Sequence, residues 1–247
     1  MFRSLYWYTD TVISLLISKI LLVKANNIKK EQGEEEYQKY IHEGVTKWGK
    51  KRVEHSGSKV NISGIENIPD TNGILFVSNH QSNFDILALL GYLPKEKGFI
   101  AKKELSKIPM LSEWMTRINC LFLDRENLKQ TAKIVTEGIK YLKEGKNMVI
   151  FPEGTRSKGK PHKHFKGGSF KLATKSGAPI VPITIDGTYK IMEGNPLNAI
   201  KPANVNITIH KPIFVSELSD EEKTKLPKRV EDIVFGGIKS ENSGNDK

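Results

Sequence analysis

With 247 residues, 38% of them apolar and 27% charged, the chain has side chains enough for one sizeable core and too many for a disordered polymer. Lysine and arginine number 39 against 28 acids, so the formal charge is +11 and favours anionic partners: phospholipid head groups, nucleic acid, or phosphorylated and acidic carrier substrates. The single cysteine, Cys120, excludes an intrachain disulfide scaffold and suits a reducing compartment, and its neighbours Ile118, Leu121 and Phe122 predict a buried, inert thiol.

From Phe2 to Val23 the chain is apolar except at Arg3, Ser4, Thr9, Asp10, Thr11, Ser14, Ser18 and Lys19. Ser4, Thr11 and Ser18 recur every seven residues with Asp10 and Ser14 beside them, so a helix here carries a narrow polar stripe and a wide apolar face. Such a helix is expected to lie in a membrane interface. The uncharged run from Thr11 to Ser18 is far shorter than the ~20 residues of a spanning helix, and Asp10 would cost roughly 2.5–3.5 kcal/mol near a bilayer centre. The alternatives are a tilted or re-entrant helix and a cleaved signal peptide with Val23-Lys24-Ala25 as its processing site, although Lys19 interrupts the apolar stretch a signal peptide needs. A second helix is expected from Glu34 to His55, with Tyr37, Ile41, Val45 and Trp48 on one face. It either completes a hairpin lying on the membrane or packs against the domain.

Short apolar runs bounded by Gly, Pro or Asn then predict strands at Val60–Ile62, Ile74–Val77, Gly98–Ala101, Cys120–Leu123, Met148–Phe151, Ile180–Ile185 and Val205–His210. Asn127 and Gly145 bracket a helix whose expected buried face is Leu128, Ala132, Val135, Ile139 and Leu142. Strands bracketing helices imply an α/β fold, a largely parallel central sheet flanked by helices, preceded by a two-helix membrane-associating appendage. The expected division is a membrane-anchoring segment at 1–56, an α/β domain at 57–235 and a frayed tail at 236–247.

In such a sheet, ligands bind beyond the carboxyl ends of the strands, so the motifs that directly follow apolar runs stand out. The run ending at Ser78 delivers Asn79-His80, and Asp85 stands five residues on, in the first turn of a helix. That spacing lets Asp85 fix one imidazole nitrogen of His80 and leave the other free as a general base, although Ser82-Asn83-Phe84-Asp85 also fits a plain capping box. A second strand runs into Phe151-Pro152-Glu153-Gly154-Thr155-Arg156-Ser157, which offers a carboxylate, a close-approach glycine and a guanidinium suited to phosphate; an ordinary polar turn is the alternative. A third runs into Asp124-Arg125, where the alternative is a surface ion pair. Between Glu153 and Asp186 no acid occurs, while Arg156, Lys158, Lys160, Lys163, Lys166, Lys171 and Lys175 do, a local positive field or else a solvated basic face. His162-Lys163-His164 lacks Cys or carboxylate company, so no metal is expected there.

Taken together and in order, these blocks resemble the 1-acylglycerol-3-phosphate acyltransferase family, with its N-H-x-x-x-x-D, its F-x-D-R-like run, its F-P-E-G-T-R-S and its later V-P-I strand. They stand here as Asn79 to Asp85, Cys120 to Arg125, Phe151 to Ser157 and Val181-Pro182-Ile183, and Lys102-Lys103-Glu104-Leu105 looks like the family's lysine-bearing segment. The one departure is Cys120, where many members have glycine. The resemblance implies that His80, oriented by Asp85, deprotonates the 2-hydroxyl of lysophosphatidic acid as it attacks an acyl thioester, without an acyl-enzyme; the chain has no G-x-S-x-G elbow. It implies a phosphate site from Arg125, Glu153, Gly154, Thr155, Arg156 and one of Lys102 or Lys103. No cofactor is expected. The co-substrate is acyl carrier protein or a coenzyme A thioester, and the partner surface is an anionic phospholipid membrane, bound interfacially from its cytoplasmic face.

Two other outcomes stay open: acylation of glycerol 3-phosphate or another lysolipid, and a non-catalytic lipid-binding protein. A nucleic-acid binder is disfavoured, because the basic segment has only Phe165 and Phe170 as interleaved aromatics.

Overall fold

The computed structural model of the protein describes residues 2–238. Strands β1 (Lys59–Ser63), β2 (Leu75–Ser78), β3 (Gly98–Lys102), β4 (Leu121–Leu123), β5 (Met148–Ile150), β6 (Ile180–Asp186) and β7 (Asn204–Ile209) form one sheet in the order β1-β7-β6-β2-β5-β3-β4. Every pairing is parallel except β6 with β7. Helices α1 (Phe2–Gln32), α2 (Glu34–His55), α3 (Phe84–Tyr92), α4 (Leu111–Arg117), α5 (Leu128–Lys143), α6 (Lys171–Ser176) and α7 (Asp220–Gly236) cover it. The α/β class with a largely parallel sheet is therefore as expected.

The continuous apolar reading of β2 has a direct cause. Ile74 and Phe76 point into a core shared with α1 to α4, while Leu75 and Val77 point into a second core under α5, α6 and α7, so no position on the strand meets water. Gly49 on α2 and Gly91 on α3 let those helices touch through their backbones: a Cβ on Gly91 would sit 2.5 Å from Lys50 N. Of the two readings of α2, the structure takes the second, packing against the domain. Tyr37, Ile41, Val45 and Val53 are buried in the same core as Phe76 and Phe84, so packing does not break at residue 56.

Helix α1 is longer than the apolar stretch that predicts it, and the direction of its polar stripe is the informative result. Ser14 Oγ accepts from the Trp48 indole at 2.9 Å and Ser18 Oγ from the Trp114 indole at 2.8 Å, while Trp7 donates to Arg52 O at 2.8 Å. Asp10 meets the fully buried Arg52 at 2.5 Å and His55 at 2.6 Å. The polar stripe therefore faces the protein. The apolar face, with Phe2, Leu5, Val12, Ile13, Leu16, Ile17, Ile20, Leu21 and Val23, is left exposed. The helix is long and apolar enough to cross a membrane by length and composition, with a mean hydropathy of 1.5 over its best window.

Helix α5 has the expected N-cap, Asn127 accepting from Gln130 N at 3.1 Å, but its buried face is rotated. Ile134, Gly138 and Leu142 are inside, Val135 and Ile139 are half-buried, and Ala132 and Leu128 lie out. The face is centred on Gly138 because Leu172 of α6 presses against it, so close that a Cβ there would lie 2.6 Å from Leu172 Cδ2. The tail expected at 236–247 falls beyond residue 238 for most of its length, outside the described residues.

Candidate active site

The carboxyl ends of β2, β3, β4, β5 and β6 share one edge of the sheet, because these five strands are mutually parallel. Asn79, buried at the end of β2, clamps that edge. Its amide donates to Ile185 O and accepts from Ile185 N, both at 2.8 Å, tying β2 to β6 just before the chain turns into His80.

His80 Nδ1 lies 2.7 Å from Asp85 Oδ2. An ionised carboxylate only accepts, so Nδ1 carries the proton and Nε2 is the basic nitrogen. No protein group engages Nε2 among the described residues. The ring stacks on Phe151 with centroids 4.1 Å apart, and its side chain keeps 15% exposure while Asp85 keeps none. The same oxygen, Asp85 Oδ2, also accepts from Gln81 N at 2.7 Å and Ser82 N at 2.8 Å, and Ser82 Oγ accepts from Phe84 N at 3.0 Å. Orientation of the histidine and closure of the turn before α3 thus fall on one carboxylate oxygen. The other, Oδ1, accepts from the Thr188 hydroxyl just beyond β6.

The segment after β5 folds over this turn. Glu153 Oε1 accepts from His80 N at 2.6 Å, and Ser157 N donates to His80 O at 2.7 Å. Glu153 is buried with its carboxylate turned onto main-chain amides; burial pushes that carboxyl above the usual carboxylate range, and the His80 and Lys163 amides partly offset this. Gly154, at φ 72°, lets its carbonyl accept from Arg125. A Cβ at that position would lie 3.0 Å from Lys166 Nζ and 3.7 Å from Arg125 NH1, so two cations converge on the turn. Thr155 is exposed beside it. Arg156 reaches back to Glu193 Oε1 at 2.8 Å, and Glu193 also accepts from Asn83 N at 2.9 Å and from the Ser82 hydroxyl. On the β3 and β4 side, Lys103 pairs with Asp124 at 2.8 Å and Lys102 is exposed at the strand end.

His80, Asp85, Glu153, Gly154, Arg125 and Arg156 are therefore joined in one hydrogen-bonded unit, with Lys102, Lys103 and Thr155 at its rim. Reasoning from sequence missed Thr188, Glu193 and Lys166. Thr188 follows a strand end and obeys the same positional rule as the others, and Lys166 belongs to the basic run already noted. Glu193 carries no local signal, since only the fold brings it to Arg156. Cys120 is buried, accepting from Phe99 N at 3.4 Å, and burial pushes its thiol up to about 12, which removes it as a nucleophile. His162 stacks on Phe235 at 3.5 Å and His164 bonds Glu231 at 3.0 Å.

Comparison with known proteins bears on the family and the fold. A family model described as Acyltransferase matches residues 59–186, just over half of the chain. A chloroplastic 1-acyl-sn-glycerol-3-phosphate acyltransferase of Arabidopsis thaliana is 37% identical over 177 residues, covering 70% of this chain and 49% of that protein. The chain thus spans about half the length of that relative. The enzyme of the same name from Borreliella burgdorferi is 31% identical over 179 residues, covering 72% of this chain and 71% of the relative. The crystal structure of the 1-acyl-sn-glycerophosphate acyltransferase of Thermotoga maritima superposes with a TM-score of 0.84 at 32% identity, covering 96% of this chain and 93% of that one. By fold, motif order and family match, this chain belongs to the Acyltransferase family.

Proposed function

We propose that this protein transfers an acyl group from an acyl thioester directly to the sn-2 hydroxyl of 1-acylglycerol 3-phosphate, forming phosphatidic acid. The observation that carries this reading is the His80–Asp85 pair, with Nδ1 engaged and Nε2 free beside a cationic turn. His80 Nε2 takes the hydroxyl proton as the oxygen attacks the thioester carbonyl. The C–O bond forms, the C–S bond breaks, and the thiolate recovers the proton from His80. A thiol of pKa ~8.5 leaves without strong acid assistance, so no acyl-enzyme is needed. Asp85 holds the imidazole and stabilises its cation, while Arg125 and Arg156, with Lys102, Lys103 and Thr155 at the rim and Gly154 giving close backbone approach, receive the acceptor phosphate. Glu153 serves from beneath, holding the His80 main chain. Acyl carrier protein and coenzyme A both suit the basic surface from Arg156 to Lys175 as donor.

Membrane association rests on α1. Its nine exposed apolar side chains would each gain roughly 1.5–3 kcal/mol on full burial, so even half-immersion is worth on the order of 10 kcal/mol before ordering costs. The inward polar stripe fits a helix lying flat with lipid on one side and protein on the other. The cytoplasmic face is the one on which acyl thioesters and a lone reduced thiol belong.

Purified full-length protein given 1-acylglycerol 3-phosphate or glycerol 3-phosphate, with either thioester, tests the reading. Phosphatidic acid from the first acceptor, at a kcat/KM at least tenfold above that for the second, is expected. Preference for glycerol 3-phosphate, or binding without turnover, would overturn it.

A further inference from the structure

The segment that follows β6 begins in the active site and ends against α1. Thr188 bonds Asp85, and Glu193 holds Arg156 and the turn before α3; a few residues on, Tyr8 donates to Asn198 O at 2.9 Å and Ile200 N donates to Ser4 Oγ at 2.9 Å. Between these two anchorages stands Leu197, fully exposed at 100%, with φ 52° and ψ 25°, followed by Asn198 at φ 54°.

Leucine is poorly matched to this position in water. The left-handed conformation strains an L residue with a Cβ, and asparagine or glycine adopts it far more readily. The side chain meanwhile buries nothing against the protein. Both features make sense if the loop tip meets an apolar phase outside the chain. That phase is the one α1 already requires: the loop is hydrogen-bonded to the first two turns of α1, beside exposed Phe2 and Leu5.

We infer that Leu197 is a second lipid contact, the tip of a loop that enters the same phospholipid interface as the apolar face of α1. The inference rests on the membrane-surface reading above. Its consequence is positional. Glu193 sits at the base of the loop and grips Arg156 and Asn83, so a tip fixed in lipid holds the phosphate-binding turn at the level of the head groups.

Two variants of the full chain test this. Leu197→Asn suits the left-handed backbone and leaves the fold intact, with an unchanged melting temperature. It is expected to weaken partitioning onto phosphatidylglycerol/phosphatidylethanolamine vesicles about tenfold and to raise the KM for a long-chain acceptor embedded in them by a similar factor. Activity on a short-chain acceptor below its micellar concentration stays at the wild-type level. Leu197→Trp should show fluorescence that shifts to the blue on those vesicles and is quenched by brominated lipid. Unchanged partitioning of Leu197→Asn together with an unquenched tryptophan overturns the inference. So does equal loss on vesicle-bound and monomeric acceptor, which marks a merely structural loop. Ile13→Asn/Ile17→Asn on α1 separates the two readings. If it weakens vesicle binding while Leu197→Asn leaves binding unchanged, the lipid-contact inference fails and the membrane reading stands; if neither variant weakens binding, both fail.

Discussion

Replacing His80 with alanine is expected to lower kcat for acyl transfer by about 10²–10⁴-fold, the range over which a positioned general base contributes. Misfolding would not account for such a loss. The imidazole is a partly exposed ring stacked on Phe151, and its main-chain bonds to Glu153 and Ser157 do not depend on the side chain. The stability cost should stay at ~1–2 kcal/mol, from one hydrogen bond and one ring contact. Steady-state assay on vesicle-bound acceptor, with melting temperature as control, reads both quantities. A variant that folds and retains a third or more of wild-type kcat removes His80 from the chemistry.

Asp85→Asn is expected to come close behind, with kcat down about 10²–10³-fold and KM for either substrate within about threefold. Asparagine is nearly isosteric, and the site accommodates its amide. With the amide oxygen in the place of Oδ2, the bonds from His80 Nδ1, Gln81 N and Ser82 N persist; the amide NH₂ then faces Thr188, whose hydroxyl can accept instead of donate. The turn keeps its shape while the buried negative charge is gone. What is lost is stabilisation of the imidazolium that forms as the hydroxyl proton is taken. A large KM change with kcat intact would instead assign Asp85 to binding.

The strand ends were legible because a parallel sheet buried on both faces leaves a simple record, apolar runs followed at once by chemistry-bearing residues. His80, Arg125, Glu153 and Arg156 all announce themselves in that way, and the Asn127 cap is equally local. What stayed hidden depends on contacts across the chain. Spacing paired Asp85 with His80 but could not reveal that one oxygen serves three donors, because the occupant of the other, Thr188, lies 103 residues away. Periodicity gave α1 two faces without saying what covers each; the tryptophans of α2 and α4, with the Asp10 ion pairs to Arg52 and His55, show that the polar one turns inward. On α5 the buried stripe runs through Gly138, a residue that hydrophobicity ranks low but that Leu172 needs for close packing. Glu153 read as a ligand group because its motif is exposed in sequence; in the fold it bonds the two loops to each other.

On the proposed reading that arrangement is a proton-transfer device held from below: Cys120 is buried, with its thiol pushed up, and His80 is aimed by a carboxylate. Direct transfer is therefore the central claim, and thiol release in the absence of acceptor tests it most directly. Rapid mixing of stoichiometric enzyme with acyl thioester alone should give no burst of free thiol and no gain in intact protein mass, with release beginning only when 1-acylglycerol 3-phosphate is added. A burst approaching one thiol per enzyme, accompanied by an acyl mass on the protein, would contradict it.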